Sequence, residues 1–251
     1  MKKILLGIAL SIVALQGCKK DNDDEEEVVI VPIADQNAYD DAAAIKFMDS
    51  NYFNDKGVIT AFDDTVTTDD NYPKLSSYQH ETLPSGVIYI KRAETFQPNP
   101  GKEIATTDVI SIMQITKTYI ATKTDDKIAY ASESTFINNV TTSGVPSTDP
   151  AYFYVKQSVL DKYNTANSTA TVGRSFYELE GLQEGLKHFK SFDNLDSSTD
   201  YNMQGVIIVP SRAAYARDNS IYGTIYSNRS FVFNFQLYNT RTRDLNNPAE
   251  N

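Results

Sequence analysis

The sequence predicts an α+β domain in which a curved antiparallel β-sheet wraps over one short α-helix, with a helical segment on its N-terminal side. Three observations predict this class. Runs of high β propensity separated by turn residues indicate a strand meander, four apolar residues then recur at helical spacing, and a period-two apolar alternation indicates a closing strand. The strand runs are residues 87–92, 108–122 and 127–132. The residues at helical spacing are Leu179, Leu182, Leu186 and Phe189, and those of the alternating strand are Phe231, Phe233, Phe235 and Leu237.

The other segments complete the expected order of elements. Residues 40–53 are predicted as a helix, because apolar residues fall at helical spacing behind an aspartate cap. Residues 60–85 are expected to be irregular, and the unbroken apolar run at 206–209 predicts a buried strand. The predicted units are a signal peptide at 1–17, a tether at 18–35, a helical and irregular segment at 36–85, and a sheet domain at 86–244 with an insertion at 133–173.

The first residues are typical of an exported protein. Lys2 and Lys3 precede an apolar run at residues 4–15, which is shorter than the roughly 20 residues of a membrane-spanning helix. The run ends in Leu-Gln-Gly-Cys, which resembles the lipobox of bacterial lipoproteins, where the cysteine, here Cys18, carries the lipid. An ordinary secretory signal followed by a chance cysteine is the alternative.

The charge run at residues 19–27 contains no apolar residue, so it is expected to be an extended, solvated tether. Acidic residues directly after a lipidated cysteine resemble the surface-export signal of lipoproteins in the Bacteroidetes. The resemblance implies an outer-membrane lipoprotein that contacts the membrane through the lipid at Cys18. Its periplasmic and its cell-surface orientation remain alternatives.

Composition and net charge argue against several classes of function and site. The net charge is −10, and removal of residues 1–17 takes away two lysines and no acid, which leaves −12. An acidic chain without basic clusters argues against binding to nucleic acid. One cysteine and two histidines argue against an intrachain disulfide and a His-rich metal site. No metal or cofactor is expected, and an oxygen-ligated calcium site at the Asp pairs is the alternative.

Residues 178–239 carry a family resemblance. A helical Glu-Leu-Glu-Gly-Leu-Gln-Glu-Gly-Leu segment is followed by Val-Ile-Ile-Val-Pro-Ser-Arg-Ala-Ala-Tyr and then by Phe-Val-Phe-Asn-Phe-Gln-Leu. This order resembles the C-terminal half of an FKBP-type peptidyl-prolyl cis-trans isomerase domain. The resemblance extends over roughly residues 86–243, and it implies an apolar pocket between the helix and the sheet that receives a prolyl ring.

The resemblance also implies roles for individual residues. Tyr215 matches the pocket tyrosine whose hydroxyl bonds the substrate carbonyl, and Tyr130 and Phe233 match pocket aromatics; these three are the candidate catalytic residues. The candidate substrate-binding residues match pocket-wall positions, and the backbone N–H of the first also faces the ligand in the family: Leu179, Leu182 and Ile225.

Three functions follow as hypotheses. The first is an isomerase or folding helper that acts on proline-containing segments of exported proteins. The second is an inactive FKBP-like module that binds a peptide or protein, because Leu182 replaces the family's usual tryptophan and Ala131 its usual acid. The third is a glycan-binding surface lipoprotein, suggested by tyrosines and the anchor.

Overall fold

The computed structural model describes residues 31–251, of which residues 32–251 form one compact unit. The unit contains both helices and strands. The helices are α1 (Ile33–Asp49), α2 (Asn139–Thr142), α3 (Gln157–Ala166) and α4 (Glu180–Leu186). The strands are β1 (Asn51–Phe53), β2 (Ile59–Ala61), β3 (Gln79–Thr82), β4 (Ile88–Lys91), β5 (Val109–Thr124), β6 (Lys127–Asn138), β7 (Ser147–Thr148), β8 (Gly205–Val209) and β9 (Ser230–Arg241).

Seven of these strands form one antiparallel sheet. Its order is β3-β4-β8-β9-β5-β6, with β7 added to β5, and β1 pairs with β2 in a separate hairpin. Strand β8 is buried along its whole length, as its unbroken apolar run predicted. The predicted α+β class, an antiparallel sheet over a short helix with an N-terminal helical segment, is confirmed.

Helix α4 lies directly on β8 because two glycines permit close approach. A Cβ at Gly181 would lie 2.5 Å from Val209 Cγ1, and a Cβ at Gly185 would lie 2.7 Å from Ile207 Cγ2. Residues four apart share one face of a helix, so both glycines face the strand. The sheet face that α4 covers is called the front face below.

Strand β9 divides the core between the two faces of the sheet. Phe231, Phe233 and Phe235 pack in the front core with α4, whereas Val232 packs on the opposite, back face. Alternate residues of a strand point to opposite faces, so the predicted period-two pattern of this strand is confirmed.

Helix α1 covers part of the back face, and its bounds differ from the prediction. It begins at Ile33 directly after Pro32 and ends at Asp49, so Ile33 to Asp35 belong to a helix rather than to the predicted tether. Asp40 is not a cap but a fully buried residue within the helix, held by Gln36 and Ser211. The end of the predicted helix is instead the strand β1.

Two predicted segment boundaries also differ from the structure. The segment at 36–85 was predicted to be separate from the sheet domain, but it contributes α1 to the back face and β3 to the edge of the sheet. The predicted insertion at 133–173 begins inside β6, which continues to Asn138. The predicted signal peptide and the lipid site Cys18 lie outside the described residues.

Candidate functional site

The front face carries a cluster of aromatic side chains beside α4. They come from β6, from the segment after β7, from the loop between β8 and β9, and from β9 itself. The front aromatic cluster consists of Phe136, Tyr152, Tyr215, Tyr222, Tyr226, Phe231 and Phe233. This is the place where the family resemblance puts a prolyl pocket, between the helix and the sheet.

Phe136 lies at the centre of this cluster. Its ring centroid is 5.1 Å from that of Tyr226 and 5.2 Å from that of Phe231, both nearly perpendicular. Tyr152 and Tyr222 approach it edge-on at 5.4 and 5.5 Å. Edge-to-face contacts at these separations are the favoured aromatic geometry, so the rings fill the space by packing on one another.

Tyr215 belongs to this cluster, as the resemblance implied, but its hydroxyl is already used. The side chain is 3% exposed, and the hydroxyl donates to the backbone carbonyl of Tyr177 at 2.8 Å. Burial raises the pKa of Tyr215, so the group stays a neutral donor. Its single O–H is therefore committed to the chain's own carbonyl.

Leu179 and Leu182 are fully buried in the same core. The backbone N–H of Leu179, which the resemblance assigned to the ligand, donates to the carbonyl of Tyr152 at 2.8 Å. Both of the expected ligand donors, the Tyr215 hydroxyl and the Leu179 N–H, thus bond to carbonyls of this chain.

The carbonyl that Leu179 binds belongs to a short segment that we call the strap, residues 150–155. The side chain of Tyr152 enters the front aromatic cluster, and all four residues from Tyr152 to Val155 are buried. The Tyr152 hydroxyl accepts a hydrogen bond from the Gln114 amide, and burial raises its pKa. The strap therefore places a side chain of this chain inside the front aromatic cluster.

Polar side chains around α4 fix the strap further. Gln183 donates to the Phe153 carbonyl at 2.5 Å, and Glu178 accepts the Val155 N–H at 2.8 Å. Arg174 donates to the Val155 carbonyl at 2.6 Å and pairs with Glu178 at 2.9 Å. Each backbone group is bonded to a partner held on or just before the helix, which ties the strap to the pocket wall.

Two of the predicted site residues lie away from the cluster's interior. Tyr130 faces the back of the sheet, because it packs against the core of the back face, which contains Tyr119 and Val232. There it stacks on Tyr119 at 5.1 Å. Ile225 is 70% exposed in the loop before β9. The structure thus brings together Tyr215, Phe233, Leu179 and Leu182, but not Tyr130.

The outer edge of the cluster is open to solvent. Phe136, Tyr222 and Tyr226 are only partly buried, and Ile221 and Ile225 of the same loop are exposed. We call these five residues the mouth. It is the part of the front face where apolar side chains of the chain can meet another molecule.

Sequence reasoning missed Phe136 and Tyr152, because both lie in residues 133–173, which are predicted to be an insertion into the sheet domain. The usable signal was the density of aromatics in the run Tyr152-Phe-Tyr-Val, which is too apolar for a solvated loop. Within residues 31–251, no three His, Cys, Asp or Glu side chains group to hold a metal ion. The helices described over the same range are all too short or too polar to cross a membrane.

The comparisons with known proteins give little beyond this geometry. No protein-family model and no curated protein matches the chain. Among solved structures, FkpA from Escherichia coli is similar with 18% identity and a TM-score of 0.35, over 65% of this chain and 52% of that chain. A peptidyl-prolyl cis-trans isomerase from Pseudomonas syringae pv. tomato is similar with 11% identity and a TM-score of 0.31, over 65% of this chain and 81% of that one. The likeness therefore spans about half of the FkpA chain, and at these values it carries no argument about activity.

Proposed function

We propose that this chain is a lipid-anchored binding module on an FKBP-like scaffold, in which the strap permanently occupies the prolyl pocket. One observation carries the proposal: the N–H of Leu179, expected to face a ligand, bonds instead to the carbonyl of Tyr152. Of the three functions that the sequence suggested, this is the inactive peptide- or protein-binding module.

The physical requirements of prolyl isomerisation support this choice. Rotation about an X–Pro bond has a barrier of about 18–20 kcal/mol, and an apolar pocket lowers it by desolvating the amide and donating to its twisted carbonyl. Here the donor of Tyr215 is used by Tyr177. Removing a buried aromatic ring such as Tyr152 from its packing costs about 3–5 kcal/mol, so a substrate would have to replace a stable internal contact.

Binding at the mouth does not meet this obstacle. Ile221, Tyr222, Ile225 and Tyr226 offer apolar surface on one loop, and aromatic side chains are the residues most enriched at protein interfaces. We therefore infer that the partner is an apolar, proline-containing segment of an exported protein. The lipid at Cys18 would hold the module at the outer membrane, on its periplasmic or cell-surface side.

The test uses the mature chain from residue 18 with Cys18→Ser, so that no lipid is needed. A proline-containing peptide is added, and both its binding and its cis-to-trans relaxation are followed by NMR. We expect shifts at Tyr222, Ile225 and Tyr226 with no acceleration of a relaxation that takes tens to hundreds of seconds unaided. Acceleration by the wild-type chain would refute the inactive module, and the absence of any shift at the mouth would refute the binding site.

Isomerase turnover is the second candidate, because the pocket residues Leu179, Leu182, Tyr215 and Phe233 are still assembled in one core. If only the ring of Tyr152 prevents turnover, Tyr152→Gly should accelerate the relaxation where the wild type does not; the backbone carbonyl at this position, which accepts the Leu179 N–H, is kept in the variant. Tyr163→Gly on α3 is the matched control, since Tyr163 packs outside the pocket. A folded Tyr152→Gly variant without acceleration would show that the ring of Tyr152 is not what prevents turnover.

The glycan-binding hypothesis receives no support from the mouth. Tyr222 and Tyr226 meet edge-to-face at 5.2 Å and both rings pack on Phe136, whereas sugar stacking needs an open ring face. Retention of the chain on immobilised polysaccharide would restore this hypothesis.

A further inference from the structure

The back face contains a cavity that the proposed function does not use. Helix α1 covers one side of this face and the β1–β2 hairpin covers another, and between them a space of about 270 Å³ reaches the sheet. Its floor is formed by β5 and β9, and the edge strand β6 forms one side. We call it the back cavity.

The walls of the back cavity are mainly apolar. Phe47 of α1, Tyr119 of β5 and Tyr130 of β6 contribute aromatic rings, which contact one another at centroid distances of 5.1 to 5.9 Å. The aliphatic part of the lining comes from the hairpin and the sheet: Val58, Ile59, Ile115 and Val232. Four polar side chains complete the lining: Asn51, Lys117, Glu133 and Asn234. Apolar walls with a small number of polar groups are typical of small-molecule sites.

The polar side chains of the cavity differ in how many of their hydrogen-bonding groups already have a partner. Asn234 on the floor accepts the Ile59 N–H and donates to the carbonyls of Gly57 and Gly205. Glu133 at the rim has Lys117 on one oxygen at 2.6 Å and the Tyr119 hydroxyl on the other at 3.0 Å. Asn51, which also lines the cavity, donates to the Phe47 carbonyl at 2.8 Å. All three side chains are thus already bonded within the chain.

Lys117 is the one cation among the residues that line the back cavity. Its ammonium carries three donors, and the bond to Glu133 uses one of them. The side chain is 41% exposed at the rim, so the other two N–H groups can reach a group inside the cavity. The polar end of a matching ligand is therefore an acceptor, and an anionic acceptor gives the stronger, charge-assisted bond.

We propose that the back cavity binds a small monocyclic aromatic acid, with its ring against Tyr119 and Tyr130 and its carboxylate on Lys117. A volume near 270 Å³ lies just below the usual range for ligand pockets, about 300–1,000 Å³, so only a small ligand, one ring with a short substituent, would fit. The site lies on the opposite face from the strap and the mouth, so it does not depend on the proposed function.

The experiment titrates the mature chain carrying Cys18→Ser with 4-hydroxybenzoate and follows backbone NMR shifts. We expect saturable shifts at Ile59, Ile115 and Val232, and at least tenfold weaker binding of the neutral 4-hydroxybenzyl alcohol. The variant Lys117→Met keeps the apolar stem and should also bind the acid at least tenfold more weakly. Lys123→Met is the matched control, because Lys123 lies on the same strand with the same 41% exposure and its own ion pair with Asp126.

Three results would overturn the proposal. The first is no saturable shift at the cavity with millimolar 4-hydroxybenzoate. The second is equal affinity of wild type and Lys117→Met for 4-hydroxybenzoate, which would show that Lys117 does not contact the carboxylate. The third is tighter binding of benzylammonium than of the acid, which would assign the rim to a cation. A negative result in the peptide test at the mouth would refute the proposed function but would not change any of these three outcomes.

Discussion

The two faces of the one sheet are closed in different ways. On the front face, the strap inserts Tyr152 into a cluster of aromatic rings, and the expected ligand donors are bonded internally. On the back face, α1 and the β1–β2 hairpin leave a gap that exposes an ion pair at its rim. The face on which a pocket was expected from the sequence is thus filled, and the face on which none was expected contains a cavity.

Strand β9 shows how close together the two environments lie. Phe233 and its neighbour Asn234 are both buried, at 0% and 1% exposure, but one packs among aromatic rings and the other bonds to three backbone groups. At this point of β9 the front side is therefore stabilised by packing, whereas the back side also depends on specific hydrogen bonds.

Alkaline pH should have the largest effect, complete unfolding. Burial raises the pKa of Tyr152 and Tyr215 on the front and of Tyr119 and Tyr130 on the back above the ordinary value of 10.0. The folded state holds these protons more tightly than the unfolded chain does, so the stability they contribute is complete below pH ~10 and is lost as the pH rises further. Tyrosinate absorbance and circular dichroism should change together. Tyrosinate signal from Tyr119 or Tyr130 with intact dichroism would show instead that the back face opens alone.

The substitution Phe233→Ala should give the next largest effect. It removes a fully buried ring from the front aromatic cluster, and such truncations cost about 3–5 kcal/mol in the free energy of unfolding. Urea denaturation measures the loss. Val232→Ala, one residue away on the back face, removes fewer atoms and should cost less. An equal or larger loss for Val232→Ala would contradict the idea that packing matters more on the front.

The substitution Asn234→Ala should cost about 1–3 kcal/mol, because it leaves the Ile59 N–H and the Gly57 carbonyl without their partner. Hydrogen exchange should accelerate at Ile59 while the front-face amides stay protected. Asn239→Ala is the control, since Asn239 lies on the same strand but is exposed. Unchanged exchange at Ile59 would show that the hairpin is held by other contacts.

The substitution Tyr215→Phe should cost about 0.5–1.5 kcal/mol, the usual net contribution of one hydrogen bond. It removes the donor to the Tyr177 carbonyl and leaves the ring packing in place. Peptide binding at the mouth should be unchanged, because the hydroxyl is buried and used internally. A large fall in peptide affinity at unchanged stability would mean that Tyr215 contacts the peptide.

The sequence predicted the sheet, α4 and the two-sided pattern of β9 because these depend on local periodicity and unbroken apolar runs. The family resemblance placed Tyr215, Leu179 and Leu182 near one another, and in the structure Leu179 directly precedes α4, Leu182 lies within it and Tyr215 follows β8. The sequence could not predict the strap, because the contact of Tyr152 with Leu179 is a tertiary one without a local pattern. Likewise, the face of Tyr130 depends on the β5–β6 register, and a shift of one residue would reverse it.

The substitution Tyr130→Phe should have the smallest effect, and it is the same chemical change as Tyr215→Phe on the opposite face. Burial raises the pKa of Tyr130, and the Ser230 hydroxyl lies close enough to lower that pKa slightly against the effect of burial, but the two hydroxyls do not meet the geometry of a hydrogen bond. Removing a buried group that makes no bond relieves its desolvation cost, so the free energy of unfolding should stay the same or rise slightly, in contrast to the loss for Tyr215→Phe. Urea denaturation of both variants measures the contrast. A loss above about 1 kcal/mol for Tyr130→Phe would mean that Tyr130 and Ser230 are bonded in solution, and the back face would then be as well satisfied as the front.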